Sequence, residues 1–122
     1  MSKKTVIIGA SPNPSRYAFA AAELLTEHGH EIVPVGIKKG TVEGKAILDI
    51  RKLPVIRDVD TVTLYVGTNN QSNLLEYIPM LKPRRVIFNP GTENSELAKS
   101  LEKVGISSIE ACTLVMLRTG QY

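Results

Sequence analysis

A short, apolar and β-branched run near the amino terminus, Thr5-Val6-Ile7-Ile8-Gly9, constrains the fold more than any other feature of the chain. A run of this kind, without alternating polar residues, is typical of a strand that is buried on both faces. Residues 61–66 form a further short run of β-branched, aliphatic and aromatic residues, and residues 85–88 form another that begins with Arg85 and continues with apolar residues. Strands of this kind pair in parallel sheets that helices cover, so the sequence predicts an α/β protein.

Helical patterns lie between these strands. Residues 15–28 are rich in alanine and leucine on one face, and Gly29 ends the predicted helix. Residues 95–104 predict a later helix. A further helix, which Asn70 would cap, is predicted from the apolar residues Leu74, Leu75, Ile78 and Leu81.

Two more strands complete the alternation. Residues 31–36 predict a strand that contains Pro34, which cannot donate a ladder hydrogen bond and therefore suits a sheet edge or a bulge. Residues 107–110 predict the last strand. The segment 40–60 is less regular and offers only a short possible helix at 46–52.

Strands and helices therefore alternate from one end of the chain to the other. This order predicts right-handed crossovers and an open, doubly wound, mainly parallel sheet of five strands with helices on both faces. The sequence shows no internal repeat, low-complexity tract or linker. A single domain over residues 1–122 is the expected organisation.

Composition and charge narrow the possible partners. With 122 residues, of which 43% are apolar, the chain suits one domain with its own core. Fifteen basic and twelve acidic residues give a formal net charge of +3, well short of a dedicated nucleic-acid binder. The basic pairs at 3–4, 38–39 and 84–85 do not form one patch on the predicted sheet. No stretch approaches the roughly 18 apolar residues of a spanning helix, so we expect a cytoplasmic protein without nucleic-acid or membrane partners.

The sequence offers no catalytic set and no metal site. His28 and His30 precede the second strand, so they lie near the amino ends of the strands. Ligands bind at the opposite, carboxyl ends. Cys112, the single cysteine, lies in an apolar stretch and is predicted to be a buried structural thiol in a reducing compartment. These residues are too few for a structural zinc site, and the chain is not expected to be an enzyme.

The loop after the first strand is the first candidate site, because ligands of doubly wound sheets bind outside the carboxyl ends of the strands. It runs Gly9-Ala10-Ser11-Pro12-Asn13-Pro14-Ser15-Arg16. Ser11 and Pro14 stand where the dinucleotide motif has its second and third glycines. Asn13 or Ser15 would cap the helix, and Arg16 adds a positive charge. The loop therefore suits either a bound pyrophosphate or an ordinary capped turn.

The segment after the second strand carries Gly36 and the pair Lys38-Lys39, and it lacks the acidic residue that accepts from the ribose hydroxyls of NAD. Cations there suit a ribose phosphate, either the 2′-phosphate of NADP or the 3′-phosphate of coenzyme A. A solvated lysine pair is the alternative. Thr68, Asn69 and Asn89 would complete the crevice with neutral donors and acceptors.

Several segments together resemble the stand-alone CoA-binding domain proteins of bacteria. They are the loop 9–16, Pro34-Val35, Asn89-Pro90-Gly91-Thr92-Glu93-Asn94 and Cys112-Thr113-Leu114-Val115-Met116-Leu117. The resemblance extends from about Thr5 to Gln121. These proteins are similar to the amino-terminal domain of the succinyl-CoA synthetase α subunit, so the resemblance implies a Rossmann-like fold. Acyl-CoA synthesis is not implied, because those ligases also use a phosphorylated histidine and an ATP-grasp partner.

The resemblance implies non-catalytic binding of coenzyme A or acyl-CoA at the carboxyl ends of the strands. It places the pyrophosphate on the loop after the first strand, the adenosine phosphate on the lysine pair, and the pantetheine beside the loops after the third and fourth strands. The site then comprises Gly9, Ala10, Ser11, Asn13, Pro14, Ser15, Arg16, Gly36, Lys38, Lys39, Thr68, Asn69, Asn89 and Pro90.

Two departures and two alternatives accompany this hypothesis. Gly36-Ile37 and Asn89-Pro90-Gly91 stand where many relatives have Asn-Pro and Gln-x-Gly. An NADP(H)-binding protein or oxidoreductase would use the same fold and the same lysines. A protein-interaction subunit with a vestigial nucleotide site is the other alternative.

Overall fold

The computed structural model describes residues 2–122 and contains a parallel sheet of six strands. The strands are β1 (Thr5–Ile8), β2 (Ile32–Gly36), β3 (Thr41–Val42), β4 (Lys45–Ala46), β5 (Leu48–Asp49), β6 (Thr61–Leu64), β7 (Arg85–Phe88) and β8 (Ser107–Glu110). The helices are α1 (Tyr17–Glu27), α2 (Leu74–Leu81), α3 (Ser95–Lys103) and α4 (Thr113–Arg118). The sheet order is β5-β2-β1-β6-β7-β8, and β3 and β4 form a separate antiparallel hairpin.

The sheet lies between two layers of helices because alternate strand residues point to opposite faces. Val6 and Ile8 of β1 pack in one apolar cluster with residues of α2 and α3. Ile7 packs in a second cluster with residues of α1 and α4. The doubly wound α/β fold with helices on both faces is therefore confirmed.

The number of strands and the structure of segment 40–60 differ from the sequence-based expectation. The sixth strand, β5, pairs only Leu48 with Val35 and Asp49 with Gly36, which is too short for any periodicity to reveal. The helix expected at 46–52 is wrong, since a single 3₁₀ turn is the only helical structure there. The edge position expected for Pro34 is confirmed, because this half of β2 pairs with β1 alone.

The helices also show two differences. Asn70 does not cap α2, because it ends a short 3₁₀ turn and α2 begins only after Asn73. The apolar tail, left without an assignment, forms α4 and covers α1. No helix within residues 2–122 has the length and apolar character needed to cross a membrane.

Tyr122 packs at the end of the sheet where the strands begin, beside Thr5 of β1 and Arg85 of β7. Its hydroxyl is hydrogen-bonded to Thr5 Oγ1, and its backbone oxygen accepts from Lys3 Nζ and from Arg85 Nη2. The Arg85 guanidinium lies 4.4 Å from the centre of the Tyr122 ring, and the His30 ring centre is 5.0 Å away. His30 Nδ1 accepts from the backbone N–H of Lys3 at 2.9 Å, which requires a neutral imidazole.

This arrangement predicts a stability that falls in mild acid. Partial burial, followed by the charges of Lys3 and other nearby cations, holds the pKa of His30 below 6.5, so the folded state favours the neutral ring. The stabilisation is fully present above pH 6.5 and is lost as the pH falls through the lowered pKa of the folded state. Urea unfolding between about pH 7.5 and pH 5 should show this loss. In His30→Asn, the free energy of unfolding should change much less with pH. A pH dependence equal to that of wild type in this variant would contradict the role of His30. His28→Asn is the control and should keep the wild-type dependence.

Candidate functional site

A cleft of about 550 Å³ opens at the carboxyl ends of β1, β6 and β7. Six of the predicted site residues line it, namely Gly9, Ala10, Ser11, Arg16, Lys38 and Pro90. Gly67 and Gly91, which the sequence suggests would leave space for a ligand close to the backbone, also line it. The other lining residues were not among the predicted site residues, namely Tyr17, Ala18, Ile37, Tyr65, Val66, Asn70 and Thr92. The cleft is therefore located where the alternation of strands and helices predicts a ligand site.

Gly9 allows the chain to turn sharply at the end of β1. Its φ is +96°, and a Cβ at this position would lie 2.9 Å from the carbonyl carbon of Tyr65. Both the Gly9 and the Ala10 N–H groups donate to Val35 O, at 2.9 and 3.0 Å. The first two amides of the loop thus hold it to β2 and are not free for a ligand.

The backbone N–H groups that lack a partner come later in this loop and at the start of α1. Among residues 2–122, the N–H groups of Ser11, Tyr17 and Ala18 make no hydrogen bond, and all three residues line the cleft. Tyr17 and Ala18 are the first two residues of α1, so their amides carry the positive end of the helix dipole. Arg16 adds a full positive charge beside them. This end of the cleft therefore presents positive charge and free N–H donors.

Asn13, Pro14 and Ser15 lie outside the cleft and form an exposed turn. Asn13 Oδ1 accepts from both the N–H and the hydroxyl of Ser15, at 3.0 and 2.9 Å. Because α1 begins two residues after Ser15 and Arg16 occupies the cap position without a side-chain hydrogen bond, neither Asn13 nor Ser15 caps the helix. The expected cap is wrong, and Pro14 precedes the first turn.

The segment that carries the lysine pair packs directly against the first loop. A Cβ at Gly36 would lie 2.8 Å from Ala10 O, and one at Gly40 would lie 2.9 Å from the Pro12 ring. Glycines at both ends therefore let residues 36–40 approach the first loop closely. The lysine pair lies between these two contacts and is thereby held beside the loop.

Two smaller cavities adjoin the cleft and share lining residues with it. One, of about 380 Å³, is lined by Lys38, Lys39, Arg51 and Lys52 together with a single carboxylate, Asp49. The other, of about 320 Å³, has a mostly apolar wall formed by Ile8, Ile37, Ile50, Val66 and Leu74. Ile37 lines all three cavities although 63% of its surface is exposed. Together they form one crevice, with free backbone amides and Arg16 at one end, an apolar wall and a strongly basic edge.

The loops after β6 and β7 are joined by a buried glutamine. Gln71 Nε2 donates to Val66 O and to Thr92 O, each at 2.8 Å, and its Oε1 accepts from Asn94. Val66 and Thr92 both line the cleft. Gln71 therefore fixes the distance between the two loops that form this wall, a role that the sequence did not reveal.

The neutral residues predicted in these loops have different positions. Asn89 lies beneath the cleft, where its Nδ2 donates to Thr63 Oγ1 and Leu64 O and its Oδ1 accepts from the Thr113 N–H. Thr68 is exposed and donates to Glu93 O, and Asn69 is exposed beside it. None of the three lines the cleft, whereas Pro90 does.

The ionisable groups that line the cleft within the described residues are Arg16, Lys38, Tyr17 and Tyr65. Burial raises the pKa of Tyr65 to about 12. Among residues 2–122, no group lies in hydrogen-bonding geometry with its buried hydroxyl. Cys112 is half-buried, not fully buried as expected, and it precedes α4 outside the cleft. The walls thus present cations, phenols and backbone groups.

The doubly wound α/β fold, with a cleft at the carboxyl ends of its strands, places the chain in the class of Rossmann-like proteins. More particularly, the chain belongs to the CoA-binding domain family, whose sequence profile matches residues 3–118. The resemblance drawn from the loop and tail motifs is therefore confirmed. No curated protein matches the sequence.

Solved structures share this fold. The crystal structure of an uncharacterized protein is 55% identical, covers 100% of this chain and 99% of its own, and superposes with a TM-score of 0.96. A hypothetical protein from Pyrococcus horikoshii OT3 is 26% identical, with 97% and 83% of the two chains covered and a TM-score of 0.80. A Thermus thermophilus structure, cell-free ID.343, shares the fold at 21% identity, with 99% and 91% coverage and a TM-score of 0.83.

Proposed function

We propose that this protein binds coenzyme A or an acyl-CoA in the crevice at the carboxyl ends of the strands, without catalysing a reaction itself. Because the chain belongs to the CoA-binding domain family, one structural observation is enough to support this ligand. Ser11, Tyr17 and Ala18, whose N–H groups make no hydrogen bond among residues 2–122, line the cleft together with Arg16. A diphosphate would accept hydrogen bonds from these amides and pair with the guanidinium.

The adenosine end of the ligand would lie towards the sheet edge. The apolar cavity that Ile8, Ile37 and Leu74 help to line suits a flat, uncharged base. Lys38 and Lys39 line the basic cavity next to it and would neutralise the 3′-phosphate. The contacts of Gly36 and Gly40 with the first loop support this placement, because they keep the lysines beside the proposed diphosphate site.

The pantetheine chain would then follow the opposite half of the cleft, past Tyr65, Val66 and Pro90. This wall offers apolar surface and backbone groups to a chain that itself alternates amides and methylenes. Pro90 and Gly91 on this side of the cleft are exposed, so a thiol or a short acyl group beside them would reach solvent. A carrier or sensor role fits such a ligand pose.

The lysine pair gives the test that separates coenzyme A from a generic nucleotide. We expect Lys38→Ala/Lys39→Ala to weaken coenzyme A binding by roughly 1–3 kcal/mol and to leave dephospho-CoA nearly unchanged. Thermal shift and calorimetric titration with both ligands would measure the difference. The wild-type preference should also shrink with added salt, since an exposed phosphate contact is screened.

Lys99→Ala/Lys103→Ala on α3 is the matched control, because it removes the same charge outside the three cavities. Equal losses for both ligands in the Lys38/Lys39 variant would place the lysines on the diphosphate or in the fold and would overturn the 3′-phosphate contact. Saturation by NADPH, with coenzyme A failing to compete, would favour the nicotinamide alternative instead.

A further inference from the structure

A carboxylate and a guanidinium lie at the basic edge of the crevice, on a segment where the sequence predicts no strand. The short strand β5 pairs with the end of β2, and Asp49 stands opposite Gly36 in this register. Dinucleotide folds place a ribose-binding acidic residue at the end of their second strand. Here the neighbouring strand supplies an acidic residue at the same level of the sheet.

Asp49 fixes the side chain of Arg51. Arg51 Nε donates to Asp49 Oδ1 at 2.9 Å and Nη2 donates to Oδ2 at 3.2 Å, while the Arg51 N–H donates to Oδ1 at 2.9 Å. These hydrogen bonds from Arg51 lower the pKa of Asp49, so the pair stays ionised at neutral pH. The guanidinium has five N–H donors, of which this contact uses two.

The surroundings of the pair favour an anion. Lys38, Lys39, Lys52 and Arg51 line this cavity against the single carboxylate of Asp49, which is already paired. The Arg51 side chain remains 65% exposed, so a ligand can reach its remaining donors. A planar guanidinium held in one orientation is suited to a phosphate, which can accept two hydrogen bonds from it.

We propose that Arg51, held in place by Asp49, recognises a phosphate on the ribose of the bound nucleotide. The inference deepens the proposed function and rests on it for the direction in which the ligand lies. It names the ligand class as an adenosine that carries a second phosphate on its ribose. Arg51 would contact the phosphate directly, and Asp49 would be a positioning residue.

Nucleotide fragments test the proposal without the pantetheine chain. The probes are adenosine 3′,5′-bisphosphate, its 2′,5′ isomer and 5′-AMP, each titrated by calorimetry into the wild-type protein and into Arg51→Ala. We expect wild type to prefer a bisphosphate, and Arg51→Ala to weaken that bisphosphate about tenfold while changing 5′-AMP by less than about twofold. Arg57→Ala removes the same charge from an exposed position outside the three cavities and should change neither.

Asp49→Asn tests the positioning role by the sign of its effect. Removing a negative charge beside a phosphate site would raise bisphosphate affinity if only charge mattered. If Asp49 holds the guanidinium, the preference for bisphosphate over 5′-AMP should instead fall about threefold or more, because the fork loses its fixed orientation. A preference that rises in Asp49→Asn would overturn the positioning role.

The outcomes separate this inference from the proposed function. A wild-type protein that binds coenzyme A but does not distinguish bisphosphate from 5′-AMP would overturn the role of Arg51 and the 3′-phosphate contact of the lysines, whereas coenzyme A binding in the crevice would still stand. An Arg51→Ala variant that weakens all fragments equally or none would overturn the role of Arg51 alone. Preference for the 3′,5′ isomer supports both proposals, whereas preference for the 2′,5′ isomer supports Arg51 and contradicts coenzyme A as the ligand.

Discussion

Gly9→Val should both destabilise the protein and abolish ligand binding. A β-branched residue at φ +96° is strained, and its Cβ would lie 2.9 Å from the backbone of Tyr65. Strain of about 1–3 kcal/mol adds to the cost of moving β6 away from β1, so we expect a loss of at least about 3 kcal/mol in the free energy of unfolding. Urea denaturation would measure this loss.

Gly67→Val is the matched control for stability. Gly67 also lines the cleft, but its φ is −58° and no heavy atom lies within 4 Å of a Cβ built there. This variant should stay within about 1 kcal/mol of wild type. A Gly9→Val protein of wild-type stability that still binds nucleotide would contradict the tight turn at the end of β1.

Asn89→Leu is also expected to have a large effect, mainly on the stability of the protein. The asparagine is 2% exposed, and its amide satisfies Thr63 Oγ1, Leu64 O and the Thr113 N–H. A leucine of similar size would leave these groups without that partner, at roughly 1–3 kcal/mol for each buried group that finds no other. We expect a total loss of about 3 kcal/mol, measured by urea denaturation.

Asn69→Leu provides the comparison, because Asn69 is exposed and lies outside the cleft. Its stability should remain close to wild type. If Asn89→Leu were as stable as wild type but failed to bind nucleotide, Asn89 would be a direct ligand contact, as the sequence suggested. Because its hydrogen bonds are buried, we instead expect Asn89→Leu to lower stability and to affect nucleotide binding only as a consequence.

Most of the fold could be predicted because its signals are local. The β-branched runs of β1, β6 and β7 and the alanine-rich face of α1 follow the periodicities of buried strands and helices. The short strand β5 could not be found in this way. Its two residues pair only at the end of β2, so tertiary contact decides its structure.

The candidate site was predictable by position but less so by residue. The loop after β1 was found because topology fixes where ligands of such sheets bind. Asn13 and Ser15 have side chains typical of a cap, yet they hydrogen-bond to each other. Of the three free amides, only that of Ser11 belongs to a predicted site residue, whereas Tyr17 and Ala18 have side chains that indicate no such role. No side-chain pattern reports which backbone N–H groups lack a partner.

Residues from distant segments were also beyond sequence reasoning. Gln71 reaches the loop after β7 only because α2 and α3 pack side by side. Arg51 enters the site through β5, which the sequence did not reveal. Both depend on contacts between segments whose relative position no local pattern encodes.

Calorimetric titration of the wild-type protein with coenzyme A is the decisive test of the proposed ligand. The geometry of the first loop and of the basic cavity predicts saturable one-to-one binding, tighter than that of dephospho-CoA and of NADPH. Arg16→Ala should weaken it while leaving the thermal midpoint of the free protein nearly unchanged, since an exposed arginine contributes little to the core. Absence of binding at millimolar coenzyme A would contradict the account.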